Sequence, residues 1–186
     1  MRCAACITLE PLRVDHASEM VEVLGDPALY EFTGGHPPTF DELTARYALQ
    51  VGGASPDGAE EWRNWIVRSA ATTQAIGYVQ ATIRRTQRSA DLAWVIGTRW
   101  WGRGYATEAA SAVVELLRKD DVAHFTARIS PGHGASERVA RKVGLLPTTE
   151  LIDGEVVYTS CVVGALGRAQ KGSNGASGAR QGSSGP

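Results

Sequence analysis

Cysteine is scarce in this chain of 186 residues, with three in all. Cys3 and Cys6 have the spacing of half a zinc site or of a redox pair. No second half follows and Cys161 is distant, whereas structural zinc wants four ligands and catalytic dithiols sit at a helix N-terminus. No metal is expected, and so sparse a cysteine content fits a reducing compartment. Long apolar runs are missing as well. Nothing approaches the ~20 residues of a membrane-spanning helix, and no charged-then-apolar leader opens the chain. No membrane partner and a cytoplasmic location are therefore expected. Excess charge is the third absence: 19 Lys and Arg stand against 20 Asp and Glu, interspersed, for a net charge of -1. No basic stripe is broad enough to argue for nucleic acid.

The last stretch lacks large apolar residues. From Gly167 onward there are only small, polar and a few charged side chains, which cannot bury enough surface to offset the entropy of ordering. A disordered Gly/Ser-rich tail is expected over 167–186, and one domain over 1–166, where the 43% hydrophobic content of the chain suffices for a full core.

Periodicity orders that domain. Ile7 to Arg13 alternates as a half-buried strand, with Pro11 hinting at an edge. Asp15 is an expected N-cap for a helix through Ala17, Met20, Val21 and Leu24, ended by Gly25-Asp26-Pro27. An aromatic loop follows, and Thr39 caps a second helix with Asp41 and Glu42 in its first turn. Trp62–Arg68, Ala75–Arg84 and Ala90–Ile96 are three strands joined by short polar turns, an antiparallel meander. After Gly104, small apolar residues at Ala106, Ala109, Ala110, Val113 and Leu117 mark an amphipathic helix. A strand over Val122–Ile129 then implies a parallel crossover. A short helix ends at Gly144, and a hairpin turning at Asp153-Gly154 closes the domain.

The meander runs straight into Gly97-Thr98-Arg99-Trp100-Trp101-Gly102-Arg103-Gly104. A strand that stops, a glycine turn and a helix that starts present backbone N–H groups to an anion, and the helix dipole adds about half a positive charge. Two phosphate-binding loops are excluded. A Walker A loop needs a lysine that is missing here. A dinucleotide fingerprint needs a third glycine where this chain has Thr107, and a parallel sheet rather than a meander.

Arg99-x-x-Gly102-x-Gly104 resembles the R/Q-x-x-G-x-G/A pyrophosphate loop of the GNAT acyl-CoA N-acyltransferase superfamily. Gly104-Tyr105-Ala106-Thr107-Glu108-Ala109 is similar to the G-Y-A-T-E-A of its branch of ribosomal-protein and other N-terminal amine acetyltransferases, the RimJ/RimL-like branch. The segment His133 to Leu145 resembles that branch's N-x-x-S-x-R-V-x-x-K-x-G-F/L, with His133 in place of its Asn. The resemblance covers roughly Ile7 to Val163.

It implies an α+β, three-layer fold. A central mixed, mostly antiparallel sheet would be flanked by about four helices in the order β-α-α-β-β-β-α-β-α-β-β. It implies acetyl-CoA as acetyl donor, held by Val95, Ile96, Gly97, Arg99, Gly102, Arg103, Gly104, Tyr105, Ala106, Thr107, His133, Ser136 and Arg138. The activity implied is direct transfer of acetyl to a primary amine in a ternary complex. The amine belongs to a small molecule or a protein N-terminus, and the enzyme is a monomer or homodimer. Ser136 matches the family's serine near the sulfur and is the candidate proton donor, against a serine that only bonds backbone. Asp91 stands where relatives often carry an acid, a candidate base through water or an ordinary strand-end aspartate. His133 is a third catalytic candidate, against an exposed loop histidine. A backbone N–H around Val95 and Ile96 would stabilise the oxyanion. Glu108 has two readings, proton transfer or helix packing. Tyr30, Phe32, His36 and Trp94 are the expected substrate-binding residues. The alternative is a non-catalytic acyl-CoA-binding regulatory module of the same fold.

Overall fold

The computed structural model describes residues 6–160. The expected tail over 167–186, Cys3 and Cys161 lie outside them. The first strand, β1 (Ile7–Pro11), is an edge strand, as its proline requires. A 3₁₀ turn over Val14–His16 then leads into α1 (Ala17–Val23). The expected cap at Asp15 is corrected: Asp15 lies inside the turn, and the Arg13 N–H instead donates to Nδ1 of buried His16 at 3.0 Å. The second helix, α2 (Phe40–Val51), starts as its sequence dictates. Thr39 Oγ1 accepts from the Glu42 N–H at 3.2 Å, and Glu42 accepts from the Thr39 N–H at 2.8 Å.

The meander is β2 (Glu61–Ser69), β3 (Ala75–Arg84) and β4 (Ser89–Ile96), antiparallel throughout. Next come α3 (Tyr105–Lys119), β5 (His124–Ile129) and α4 (Gly134–Lys142). The closing hairpin is β6 (Leu145–Ile152) and β7 (Glu155–Ser160), whose turn holds Asp153 and Gly154 at φ 53° and 83°. All seven strands form one sheet in the order β1-β2-β3-β4-β5-β7-β6. The expected element order and mixed sheet are both present.

The period-2 alternation of the strands sorts side chains to two layers. Val67, Val79, Leu92, Phe125 and Ala127 face one way and pack with Ala109, Val113 and Leu117 of α3 and Ala140 of α4. Ile66 faces the other way, into a smaller layer with Met20 of α1 and Leu43 and Tyr47 of α2. The alanines of α3 let that helix lie close to the sheet.

One pairing positions everything that follows. The parallel strands β4 and β5 are in register only at Ser89–His124, Ala90–Phe125 and Asp91–Thr126. Beyond Thr126, β5 pairs with β7 alone, while β4 continues to Ile96 beside β3. The two strands therefore part toward their carboxyl ends, and a cleft opens where open α/β sheets place their ligands.

Candidate active site

The glycine turn stands at the end of β4, on one lip of this cleft. Gly102 and Gly104 have φ of 75° and 85°, the left-handed region that glycine enters without a Cβ penalty. A Cβ added at either position would meet nothing within 4 Å, so conformation rather than crowding demands glycine here, and the backbone lies open to an approaching group. Helix α3 starts directly after Gly104, which offers no side chain as a cap. Its first intrahelical bond in the turn is Glu108 N–H to the Gly104 carbonyl, 3.0 Å. The N–H groups of Tyr105, Ala106 and Thr107 are the orphan donors of a helix N-terminus, an anion seat. Arg99 and Arg103 are exposed beside it and form no ion pair with a described residue. These features fit a pyrophosphate, and they are the residues the sequence singled out.

Two expected cofactor residues have other duties. Gly97 donates its N–H to the Ile76 carbonyl at 2.9 Å, and the Trp100 ring packs where a Cβ would stand, at 2.8 Å. Its glycine requirement is thus packing, and its N–H is not free for a cofactor. Val95 is corrected through the ladder. Hydrogen-bonded pairs alternate along antiparallel strands. The Gly97–Ile76 bond therefore puts Val95 in a bonded pair with Tyr78 and turns its N–H toward β3. The same alternation turns the N–H groups of Trp94 and Ile96 toward the side that β5 has left. Trp94 and Ile96, rather than Val95, thus have N–H groups clear of the β3 ladder. The Ile96 carbonyl is already engaged by Trp101 Nε1 at 2.6 Å.

The other lip is the start of α4. His133 stands at its N-cap position without capping through its side chain. Its ring stacks on Phe32, centroids 4.5 Å apart and planes within 3°. Its Nε2 is 3.5 Å from Ser136 Oγ, the outer limit of hydrogen bonding. Burial holds the His133 pKa below its ordinary value, so the imidazole is neutral at pH 7. Ser130 Oγ donates to the Phe32 carbonyl at 2.7 Å, which ties the loop after α1 to the turn before α4. Arg138 folds its guanidinium back over Gly134, where a Cβ would stand 3.3 Å away. Phe32, His133 and Ser136 are thus brought together from two distant segments.

The remaining candidates are not in this cluster. Asp91 is at the end of β4 still paired with β5, about 16 Å from Ile96 at ~3.3 Å per residue. Its carboxylate is held by Arg84 at 2.7 Å and by the Thr126 hydroxyl. Tyr30 donates its hydroxyl to the Leu24 carbonyl at 3.0 Å, which leaves only its ring to line a pocket. His36 is exposed, its Nδ1 3.0 Å from the Pro37 carbonyl. Trp94 is corrected in its facing: its side chain packs against the α3-side core. Glu108 accepts from the Cys6 N–H at 2.7 Å and so docks α3 on the start of β1. Sequence reasoning missed the bond from Thr98 Oγ1 to Asp26, 2.5 Å, which fastens the glycine turn to the loop after α1. Asp-Pro at 26–27 signals the cap, which Asp26 forms with the Ala28 N–H, but nothing local signals its distant partner.

Comparison with known proteins agrees with this geometry. The model of the Acetyltransferase (GNAT) domain family matches residues 7–146. Among curated proteins, uncharacterized protein YkkB of Bacillus subtilis (strain 168) is 30% identical over 84 residues, 44% of this chain and 49% of that protein. The match thus spans about half the length of that relative. Among solved structures, RimL, a ribosomal alpha-N-protein acetyltransferase in complex with coenzyme A, superposes with a TM-score of 0.70 at 15% identity, covering 84% of this chain and 94% of that one. A GNAT-family acetyltransferase from Bacillus anthracis gives 0.68 at 17% identity, covering 84% and 95%. AAC(6')-Ib in complex with Parmomycin and AcetylCoA gives 0.68 at 18%, covering 83% and 92%. At such identities the structures establish a shared fold. Together with the family model over most of the chain, they lead to one conclusion: this protein belongs to the GNAT acetyltransferase family.

Proposed function

We propose that the protein is an acetyl-CoA-dependent N-acetyltransferase, moving acetyl directly to the primary amine of a small molecule or a protein N-terminus. The observation that carries this reading is the parting of β4 from β5 between two helix starts. The uncapped N-terminus of α3 lies on one side of it and the Phe32–His133–Ser136 cluster on the other. The N–H groups of Tyr105, Ala106 and Thr107, with Arg99 and Arg103, suit a pyrophosphate. The opening is the place for a pantetheine arm and its thioester. RimL and AAC(6')-Ib, solved with CoA and AcetylCoA, support the donor.

The chemistry requires a neutral amine, the lone pair of which forms the new C–N bond as the C–S bond breaks. An α-amine, with pKa about 7.7–8.0, reaches that state more readily than a lysine at about 10.4. The Ile96 N–H donates to the carbonyl oxygen as it gains charge. Neutral His133 has a ring nitrogen able to take the proton that the amine loses; the Ser136 hydroxyl supplies one to the departing sulfur and is reprotonated from His133, 3.5 Å away, so both groups return to their starting state.

The test is thiol release from acetyl-CoA against a panel of amines and N-terminal peptides. Turnover with at least one acceptor is expected, and Ser136→Ala should lower kcat roughly 100-fold with little change in KM for acetyl-CoA. Tight CoA binding without turnover across the panel would sink the enzyme reading. It would favour a non-catalytic acyl-CoA-binding module, for which the fully engaged Asp91 carboxylate is the supporting observation.

A further inference from the structure

Strands β3 and β4 press together at the end where β4 has left β5. Val67 and Arg68, neighbours on β2, pair with Gly77 and Ala75, two apart on β3, so Ile76 is the extra residue of a β-bulge. A bulge bends its strand and tightens the local twist, and bulges are over-represented next to active sites. From this one the Ile76 carbonyl accepts the Gly97 N–H at 2.9 Å. The next residue, Gly77, pairs with Ile96. A Cβ on Gly77 would stand 2.1 Å from the Val95 carbonyl oxygen, 2.7 Å from Ile96 Cδ1 and 2.9 Å from Ile96 Cα. Two of those three atoms are backbone, so a change of rotamer cannot relieve the contact. Gly102 and Gly104 are glycines for conformation, in open space; Gly77 is glycine for room.

The far side of Ile96 is closed as well. The Trp100 ring lies 2.8 and 3.0 Å, and the Val23 carbonyl 3.1 Å, from the Cβ position of Gly97. Ile96 itself is buried, its side chain in the α3-side core. The end of β4 is therefore wedged between two close-approach glycines and drawn against β3. Its peptide planes follow from that wedge. The Val95 carbonyl and the Ile96 N–H belong to one planar trans peptide and point in opposite directions. With the oxygen directed at Gly77, the N–H is directed into the opening beside β5.

We propose that Gly77 is a positioning residue for acyl transfer. By admitting the Val95 carbonyl it fixes the Val95–Ile96 peptide plane, and so aims the Ile96 N–H at the thioester carbonyl. This deepens the N-acetyltransferase reading and rests on it for the transfer itself. A Cβ at this position must displace the Val95 oxygen by about 1 Å to restore a 3.0 Å contact, and a misplacement of about 1 Å costs on the order of 100-fold in rate.

In thiol-release assays Gly77→Ala should thus lower kcat roughly 100-fold, while CoA, held at the start of α3, binds within about threefold of wild type by calorimetry. Infrared spectra of bound acetyl-CoA, labelled with carbon-13 at the acetyl carbonyl, read the donor directly. The wild type should lower the carbonyl frequency from its value in free acetyl-CoA, and Gly77→Ala should return it. Ile83→Ala, at an equally buried site on β3 and about 20 Å away at ~3.3 Å per residue, controls for lost stability. It should lower the melting temperature and leave kcat and the carbonyl band in place. Should Gly77→Ala not fold, Gly77→Ala/Ile96→Val frees the space of Ile96 Cδ1, keeps the conflict with the Val95 oxygen and carries the same test. An unshifted band in wild type, a shift retained in the glycine variant, or an equal loss of kcat in Ile83→Ala overturns the proposal. So does failure of both glycine variants to fold, because the glycine then serves the fold and not the donor. A shift that Gly77→Ala removes, in a protein that releases thiol with no amine, leaves the positioning role standing and the N-acetyltransferase reading lost.

Discussion

At the residue scale, the positions that matter are those where a backbone conformation or an ionisation state is set by surroundings. Gly104, at φ 85° with open space above it, is the sharpest case. Gly104→Glu places a strained side chain and a negative charge in the anion seat. Retention on immobilised CoA should weaken by at least about tenfold while far-UV circular dichroism stays unchanged; undiminished retention would remove the pyrophosphate assignment. His133 supplies a pH test. Burial lowers its pKa from the ordinary value, so the neutral, proton-accepting form prevails at pH 7 and is lost as pH falls through the lowered pKa. The rate should therefore show an acid limb below the range of a free histidine, and His133→Asn should abolish that limb. An unchanged limb in the variant would exclude His133 as its source.

Elements fasten the site as much as they form it. The glycine turn is tied to the loop after α1 by Thr98 and Asp26, and that bond, with the Ala28 N–H, holds the Asp26 carboxyl below the usual range. Thr98→Val should loosen the turn and weaken CoA binding by about 3–10-fold without loss of fold, measurable by calorimetry. Much at this scale was legible in advance. Periodicity marked the seven strands and four α-helices among the described residues, because each buries one face, and Thr39 and Gly144 marked their helix ends by local chemistry. The start of α1 was not legible. Asp15 has the right side chain for a cap, but a buried His16 from the same turn takes the Arg13 N–H, an outcome of burial rather than propensity. Trp94 was misjudged for a related reason: an aromatic on a strand can face either layer, and only the register with Val79 and its packing on the α3 side settle which.

For the whole molecule, ion pairs across elements set the acid limit. Arg68 of β2 first, and Arg13 second, pull the Glu10 carboxyl down to about 2. A carboxylate with a lowered folded-state pKa stabilises above its unfolded value and loses that contribution as pH falls. Stability from Glu10 should thus be full above about pH 4.5 and decline toward pH 2. Melting temperatures across that window should fall less steeply in Glu10→Gln, and parallel curves would mean that the pair contributes nothing on folding.

What the amino-acid order settled alone is local: the turn Gly102-Arg103-Gly104, the uncapped start of α3, and the succession of strands and helices, each written in neighbouring residues. Tertiary structure decided which groups meet. Phe32 and His133 stack only because the loop after α1 reaches the start of α4. Asp91 is withdrawn because β4 and β5 are still paired at that end. Of the two residues expected to offer an oxyanion donor, Ile96 and not Val95 keeps its N–H clear of β3, because ladder bonds alternate along β4. Contacts between distant segments depend on strand order and register, and no single stretch of sequence carries either.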